Sequence, residues 1–418
     1  MTPAARHQAA IEVLEAWAHS GSGEALDRTL AAWGRAHRFA GSGDRHAIAD
    51  ICYGTVRRAR SLQWLGGGGD PGSRLEAFRP RIAVLAGAVF AGQELSQIAG
   101  AGRYAPAALT AEEADALAAL AAEGEVKGLE DVPPGVRFNL PDWLLDALGS
   151  VPGAALAALG ERAPVDLRVN RLKATPEAAA AALVEESIET ERGPLAPDCL
   201  RVVGGARRVA GSAAYRGGLV ELQDAASQAA ALRARAAPGE IVLDLCAGGG
   251  GKTLALAAAM EGPAPGRGRL IAHDASPRRM SDLAPRAARA GARVETIGTE
   301  ALAALEGACD LVLTDVPCSG SGAWRRDGDA RWRFGRQDLE RLNATQDAIL
   351  DRAARLVRPG GRLVYVTCSI ILAENAARVE AFLARTSSFR PDPAGAFSTF
   401  PDPAGGDGFF VFPLLNQS

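Results

Sequence analysis

Lysine is almost missing from this chain. Lys127, Lys173 and Lys252 are the only three in 418 residues, and arginine carries nearly all the positive charge. With the excess of alanine and glycine, this reads as a coding preference, but it singles out Lys252. Cysteine is sparse too. The six, at 52, 199, 246, 309, 318 and 368, include no C-x-x-C pair, which argues against a metal cluster and leaves free thiols. There is no excess of positive charge: the net charge is −3, so a nucleic-acid surface would have to be local. No apolar run reaches membrane-spanning length, and Glu12, Glu15 and His19 interrupt Met1–Ser20 as a signal peptide. No membrane partner and a cytoplasmic location are the expectation. Repeats and low-complexity tails are absent as well.

The length accommodates two or three domains. Residues 1–130 read as all-helical. Ile11, Leu14 and Trp17 share one helix face, and Thr110-Ala111-Glu112-Glu113 is a capping box. Residues 131–235 read as a linker, Asp131-Val132-Pro133-Pro134-Gly135, followed by a small α+β subdomain with strands near 166–170, 199–203 and 219–222. From 236 to 418 strands and helices alternate: strands at 241–245, 270–274, 293–297, 310–315 and 362–367, with helices between them. That alternation predicts an α/β fold with a covered parallel sheet, whose ligands bind beyond the carboxyl ends of the strands.

The stretch Ile241–Thr253 organises this last region. A short apolar strand breaks at Cys246-Ala247-Gly248-Gly249-Gly250-Gly251-Lys252 and continues into a helix. Glycines permit close backbone approach and positive φ. A P-loop would fit Gly251-Lys252-Thr253 but needs glycine where Cys246 stands. A dinucleotide G-x-G-x-x-G is met only loosely. The third reading is S-adenosylmethionine, whose ribose needs an acid at the end of the next strand, and Asp274 stands there. A tight turn without ligand is the bland alternative.

Two cysteines also sit at strand ends, in Asp315-Val316-Pro317-Cys318-Ser319-Gly320-Ser321-Gly322 and in Thr367-Cys368-Ser369. A lone cysteine is usually a small buried hydrophobe. Two on the ligand side of one sheet suggest a thiolate suited to adding to an electron-poor double bond.

With these motifs, the chain resembles the Sun/Nop family of RNA cytosine-C5 methyltransferases. The resemblance rests on Leu243–Thr253, Asp274, Asp315–Gly322, Arg325–Trp332, Pro359–Ile370 with Glu374-Asn375, and Gly408-Phe409-Phe410. Arg168-Val169-Asn170 and Gln223-Asp224 match upstream elements, and the first 130 residues resemble a NusB-like RNA-binding domain. The resemblance implies a Rossmann-like, S-adenosylmethionine-dependent methyltransferase domain acting on RNA, preceded by that helical domain. It implies 16S rRNA as substrate, with tRNA, or a catalytically weak assembly factor, as alternatives. It further implies Cys368 as the attacking thiolate, Cys318 as the thiol that assists release, and Asp315 beside both the cofactor and the base. Lys252 would tune a thiol or stabilise the adduct. Cys246, Ala247, Gly248, Gly249, Gly250, Gly251, Lys252, Asp274 and Asp315 would hold the cofactor. The family usually has C-A-A-P-G-G-K where this chain has four glycines, so a looser loop is expected. Thr299-Glu300 stands where the family places an adenine-side acid. For RNA contact, Ala323–Arg333 offers arginines interleaved with Trp324 and Trp332.

Overall fold

Helix starts in the first part of the chain have local causes. Thr2 caps the first helix, Pro3–His19, by accepting from Ala5 N at 3.2 Å, and proline at its first position forfeits no bond. Thr110 and Glu113 close the expected capping box reciprocally, at 3.1 and 3.2 Å, ahead of helix Ala111–Gly128. The computed structural model describes residues 1–20, 24–129, 131–262, 268–393 and 395–418. They form two units, Met1–Arg162 with Trp324–Arg336, and Ala163–Ala323 with Gln337–Ser418.

The first unit is helical, and it extends past the expected boundary at 130, a residue outside those described. Residues 131–162 are not a free linker. Arg60, buried to 1 % exposure, donates to Leu140 O (2.7 Å) and Asp142 (2.8 Å), while Asn139 brackets Ser61 through both ends of its amide. A buried guanidinium must be satisfied, and these partners draw the 134–148 helices onto the bundle. Leu140, Leu144, Leu148 and Leu159 are buried as a result.

Ala323–Arg333 also departs from expectation. Trp324, Arg325, Arg331 and Trp332 are buried inside the first unit. Trp332 packs with Leu14, Leu26 and Val56 and donates Nε1–H to Val56 O at 3.0 Å. Arg331 donates to Leu159 O (2.7 Å) and Asn139 O (3.3 Å), and burial depresses its pKa to about 9. Arg57 donates to Arg325 O at 2.8 Å. Side chains spent this way are not a platform for RNA bases; alternating arginine and tryptophan marks a buried insert here.

The second unit holds two sheets. In the smaller, β1 (Val165–Val169), β2 (Glu189–Arg192), β3 (Cys199–Gly204) and β4 (Val220–Leu222) run antiparallel in the order β2-β3-β1-β4. Arg201 of β3 pairs with Asp166 of β1 at 2.8 Å and donates to Ala404 O and Gly405 O, tying this sheet to the C-terminal loop. The larger contains β5 (Ile241–Asp244), β6 (Arg269–Ala272), β7 (Glu295–Thr296), β8 (Cys309–Asp315), β9 (Val357–Thr367), β10 (Phe389–Pro391), β11 (Phe397–Thr399) and β12 (Phe409–Asn416). Its order among the described residues is β10-β12-β9-β8-β5-β6-β7, with β11 on β12. β5 to β9 are mutually parallel, and β12 enters antiparallel beside β9.

Near-continuous apolar runs mark strands covered on both faces. Alternate residues feed two cores: Leu243, Ile271, Val312, Leu363 and Tyr365 on one side, Val242, Leu270, Leu311, Val364 and Val366 on the other. The strand order reverses between β5 and β8, and ligands bind at such a switch point. The loops leaving β5 and β8 carry the glycine turn and Cys318. No described helix is long and apolar enough to cross a membrane.

Because Trp332 plugs the helical core from a distant part of the chain, Trp332→Ala should lower the stability of the first unit by about 3–5 kcal/mol. Chemical denaturation of the full chain, followed by far-UV circular dichroism, measures this; an unchanged midpoint would show that the insert is dispensable to the bundle.

Candidate active site

The glycine turn is shaped by backbone demands. Gly248 and Gly250 have φ of +50° and +84°. A Cβ on Gly250 would lie 2.2 Å from Leu283 Cδ1, whereas one on Gly248 would meet only Arg279. The turn thus leaves a bare strip of backbone at the start of helix Gly251–Ala259. The looseness expected from the missing proline is countered by pinning. Ala247 N donates to His273 O, Gly250 N to Ala247 O (both 2.9 Å) and Gly248 N to Asp274 (3.1 Å), while Arg286 holds Gly249 O.

Asp274 is buried just past β6. Its carboxylate accepts from Gly248 N and from Ser276 N (2.9 Å), with Arg279 at 3.3 Å. A carboxylate accepts about four hydrogen bonds, so capacity for sugar hydroxyls remains. His273 Nε2 lies 3.1 Å from Thr299 Oγ1, and Glu300 is exposed. Asp244, at the end of β5, accepts from Thr253 Oγ1 at 2.7 Å through one oxygen, while the other is buried with no protein partner. Burial raises its pKa to about 7, against the lowering effect of Thr253. Burial likewise pushes the Cys246 thiol up, and the nearby Asp244, Asp315 and Asp274 add to it.

Cys318 and Cys368, fifty residues apart in sequence, meet with their sulfurs 3.4 Å apart, both half-buried. The bond to Cys368, then burial, hold the Cys318 thiol well above its ordinary pKa, so it keeps its proton. Lys252 reaches in from the glycine turn. Its Nζ lies 2.7 Å from Asp315 and 4.9 Å from the centre of the Phe409 ring. Burial opposes its charge, but Asp315, Cys368 and Asp244 outweigh burial and raise its pKa, so it stays an ammonium.

Glu374 and Asn375 secure the cysteine loops in a way motif reading did not assign. The fully buried Glu374 carboxylate accepts from Ser319 N (2.8 Å) and Ser319 Oγ in one loop, Ser369 Oγ (2.6 Å) in the other, and Gln346 Nε2 (3.1 Å). Asn375 accepts from Thr367 Oγ1 and donates to Ser369 O. Ser321 Oγ lies 3.0 Å from Ser369 Oγ. Gly322 N donates to Cys368 O at 3.0 Å, and Gly322 crosses Gly408 so closely that a Cβ would lie 2.0 Å from Gly408 O. The serines flanking each cysteine were the available signal: each loop carries hydroxyls that one buried acid can gather.

All the expected site residues, from Cys246–Lys252 through Asp274 and Asp315 to Cys318 and Cys368, therefore line the carboxyl ends of β5, β6, β8 and β9. This fold with this edge defines a Rossmann-like methyltransferase. Residues 231–414 match the family described as 16S rRNA methyltransferase RsmB/F, and residues 140–207 match the ferredoxin-like domain of RsmF/B-like methyltransferases. A probable ribosomal RNA small subunit methyltransferase B from Synechocystis sp. is 31% identical over 306 residues, covering 68% of each chain. The ribosomal RNA small subunit methyltransferase B of Xanthomonas campestris is 29% identical over 407 residues, covering 90% of each. Among solved structures, PH0851 superposes with a TM-score of 0.71 at 23% identity over 99% of both chains. A methyltransferase homologue from Pyrococcus horikoshii does so at 0.58 and 23%, over 68% of this chain and 97% of its own. The chain belongs to the RsmB/F family of rRNA methyltransferases.

Asp244 gives the unit a pH signature. With its folded pKa raised from about 4 to about 7, it favours the folded state most below pH 4, and this contribution is lost as pH rises to 7. Asp244→Asn should therefore raise the melting temperature relative to wild type more at pH 8 than at pH 5. Thermal melts at both values test it, and equal shifts would mean the carboxylate is not held neutral.

Proposed function

We propose that this protein methylates carbon 5 of a cytosine in small-subunit rRNA, using S-adenosylmethionine and a covalent cysteine adduct. The observation that carries the reading is the contact between two thiols from separate strand ends, beside a glycine turn, with only one of them held firmly protonated. Carbon 5 of cytosine is a poor nucleophile. Attack of the Cys368 thiolate on carbon 6 forms a carbon–sulfur bond and moves electron density onto carbon 5. Lys252, kept charged by Asp315, stands where it stabilises the negative charge of that adduct. Asp315 is positioned to accept from the cytosine edge. After carbon 5 has gained its methyl it must lose its proton, and the carbon–sulfur bond then breaks to return the Cys368 thiolate. Cys318 assists this release. The base must leave its stack to reach either sulfur.

The residues of the turn suit S-adenosylmethionine. The bare backbone of Gly248–Gly251 accommodates close approach, Asp274 retains acceptor capacity for ribose hydroxyls, and Asp244 keeps one oxygen without a protein partner. When bound, the cofactor supplies an electrophilic methyl group. Action on tRNA by the same chemistry is the competing substrate reading, and the rRNA relatives favour the first.

The alanine variants of the two cysteines should fail differently. Cys368→Ala should leave RNA free and lower turnover by at least about a hundredfold. Cys318→Ala should accumulate a protein–RNA adduct that survives denaturing electrophoresis, since slowed release needs only a few kcal/mol at that step. An adduct from Cys368→Ala instead would reverse the roles, and bisulfite sequencing of the RNA locates the modified cytosine.

For the cofactor, Asp274→Ala should weaken S-adenosylmethionine binding by about 1.5–3 kcal/mol, the worth of hydrogen bonds to a charged group. Titration calorimetry reads this directly, and unchanged affinity would place the ribose elsewhere.

A further inference from the structure

The helical unit carries a basic groove that the site chemistry leaves unused. Two adjoining hollows, of 580 and 790 Å³, share Arg58, Gly160 and Arg162 in their walls. Arg57 completes the first and Arg137 the second, so four arginines face Asp50 and Glu161 in a chain of net charge −3. Three of these arginines lie against aromatic rings. Arg58 is 4.2 Å from the centre of Phe90, Arg137 5.7 Å from Phe138 and Arg57 5.8 Å from Tyr53. A ring contact restrains a guanidinium plane and leaves its edge N–H groups for an oxyanion. Burial depresses the pKa of Arg57 and Arg58, and Arg162 depresses Arg57 further. Gathering like charges in a half-buried hollow is costly, and an anion relieves that cost.

The floor points the same way. Gly54 and Gly87 sit inside helices Ser42–Arg57 and Pro80–Phe90, where glycine costs roughly 1 kcal/mol relative to alanine. Neither needs to be glycine for packing. A Cβ on Gly54 would meet nothing within 4 Å, and one on Gly87 only ordinary contacts at 3.7 and 3.9 Å. Both line the first hollow, where they keep it open.

We infer that this groove binds the sugar-phosphate backbone of the RNA substrate, with Arg58 and Arg162 at its centre and Arg57 and Arg137 toward its two ends. It rests on the RNA-methyltransferase reading and adds a binding surface remote in sequence from the cysteine loops. Two joined hollows suit a run of phosphates better than one free anion. Their arginines would act as backbone contacts, which give affinity and salt dependence without reading sequence.

The test uses the full chain. Arg137 and Arg162 are exposed, so Arg137→Glu/Arg162→Glu should fold normally. Arg57 is avoided because it holds Arg325 O. Gly54→Phe fills the hollow without removing a charge. Fluorescence anisotropy with a labelled single-stranded rRNA fragment should show both variants binding at least about tenfold more weakly. The charge-reversed variant should also lose roughly one to two units of slope in log Kd against log salt. Methyl transfer at saturating RNA should stay at the wild-type rate. Wild-type RNA affinity and slope in both variants would overturn the inference, even if millimolar inorganic phosphate or a ribosomal protein proved to occupy the groove. Wild-type protein that binds the RNA through these arginines but transfers no methyl group would sink the proposed reaction and leave the groove standing.

Discussion

A single buried carboxylate holds the reactive edge of the sheet together. The loops after β8 and β9 leave neighbouring strands and would diverge if left to their own turns. Glu374 prevents this by accepting from Ser319 in one and Ser369 in the other, with Gln346 taking part of its remaining capacity. Placing an acid at zero exposure is costly unless its lone pairs are used, and here they are used to set the spacing of two strand ends. The sulfurs 3.4 Å apart follow from that spacing. Asn375 and the Gly322–Gly408 crossing brace the same loops from the other side.

From this clamp the electrostatics of the edge can be followed outward. Contact with Cys368 and burial keep Cys318 protonated. Lys252 is charged because Asp315 stands 2.7 Å away, and the Phe409 ring covers its ammonium where water would otherwise compete. Asp244 sits one step deeper, against Thr253, and burial drives it toward neutrality. Three acids within one sheet edge thus take three roles: Glu374 shapes, Asp315 fixes a charge, and Asp244 lies close to losing its own.

Much of this could be read in the residues. Apolar runs bounded by glycine placed β5, β6, β8 and β9 within one to five residues of their observed limits, because strands covered on both faces are continuous in hydrophobicity. The glycine turn and the two cysteine motifs are local signals and were legible. What escaped notice depends on partners far away in sequence. β12 is short of turn signals and gains its identity only by pairing with β9. Residues 131–148 look like a linker because the attraction that docks them, Arg60, lies some seventy residues earlier. Trp324–Arg333 has the composition of an RNA-binding loop, and nothing local distinguishes arginines that will meet phosphate from arginines that will meet buried carbonyls.

That insert also has a bearing on biosynthesis. Met1–Arg162 emerges from the ribosome long before Trp332, which fills a place in its core among Leu14, Leu26 and Val56. At synthesis rates of about 5–20 residues per second, the nascent bundle waits on the order of ten seconds or more with that place unfilled. During the wait it exposes apolar surface, and most of the strands of the second unit are being made. The order of folding is therefore not the order of the units along the chain: the unit begun first closes its core only after β8, the strand leading to Cys318, has been synthesised.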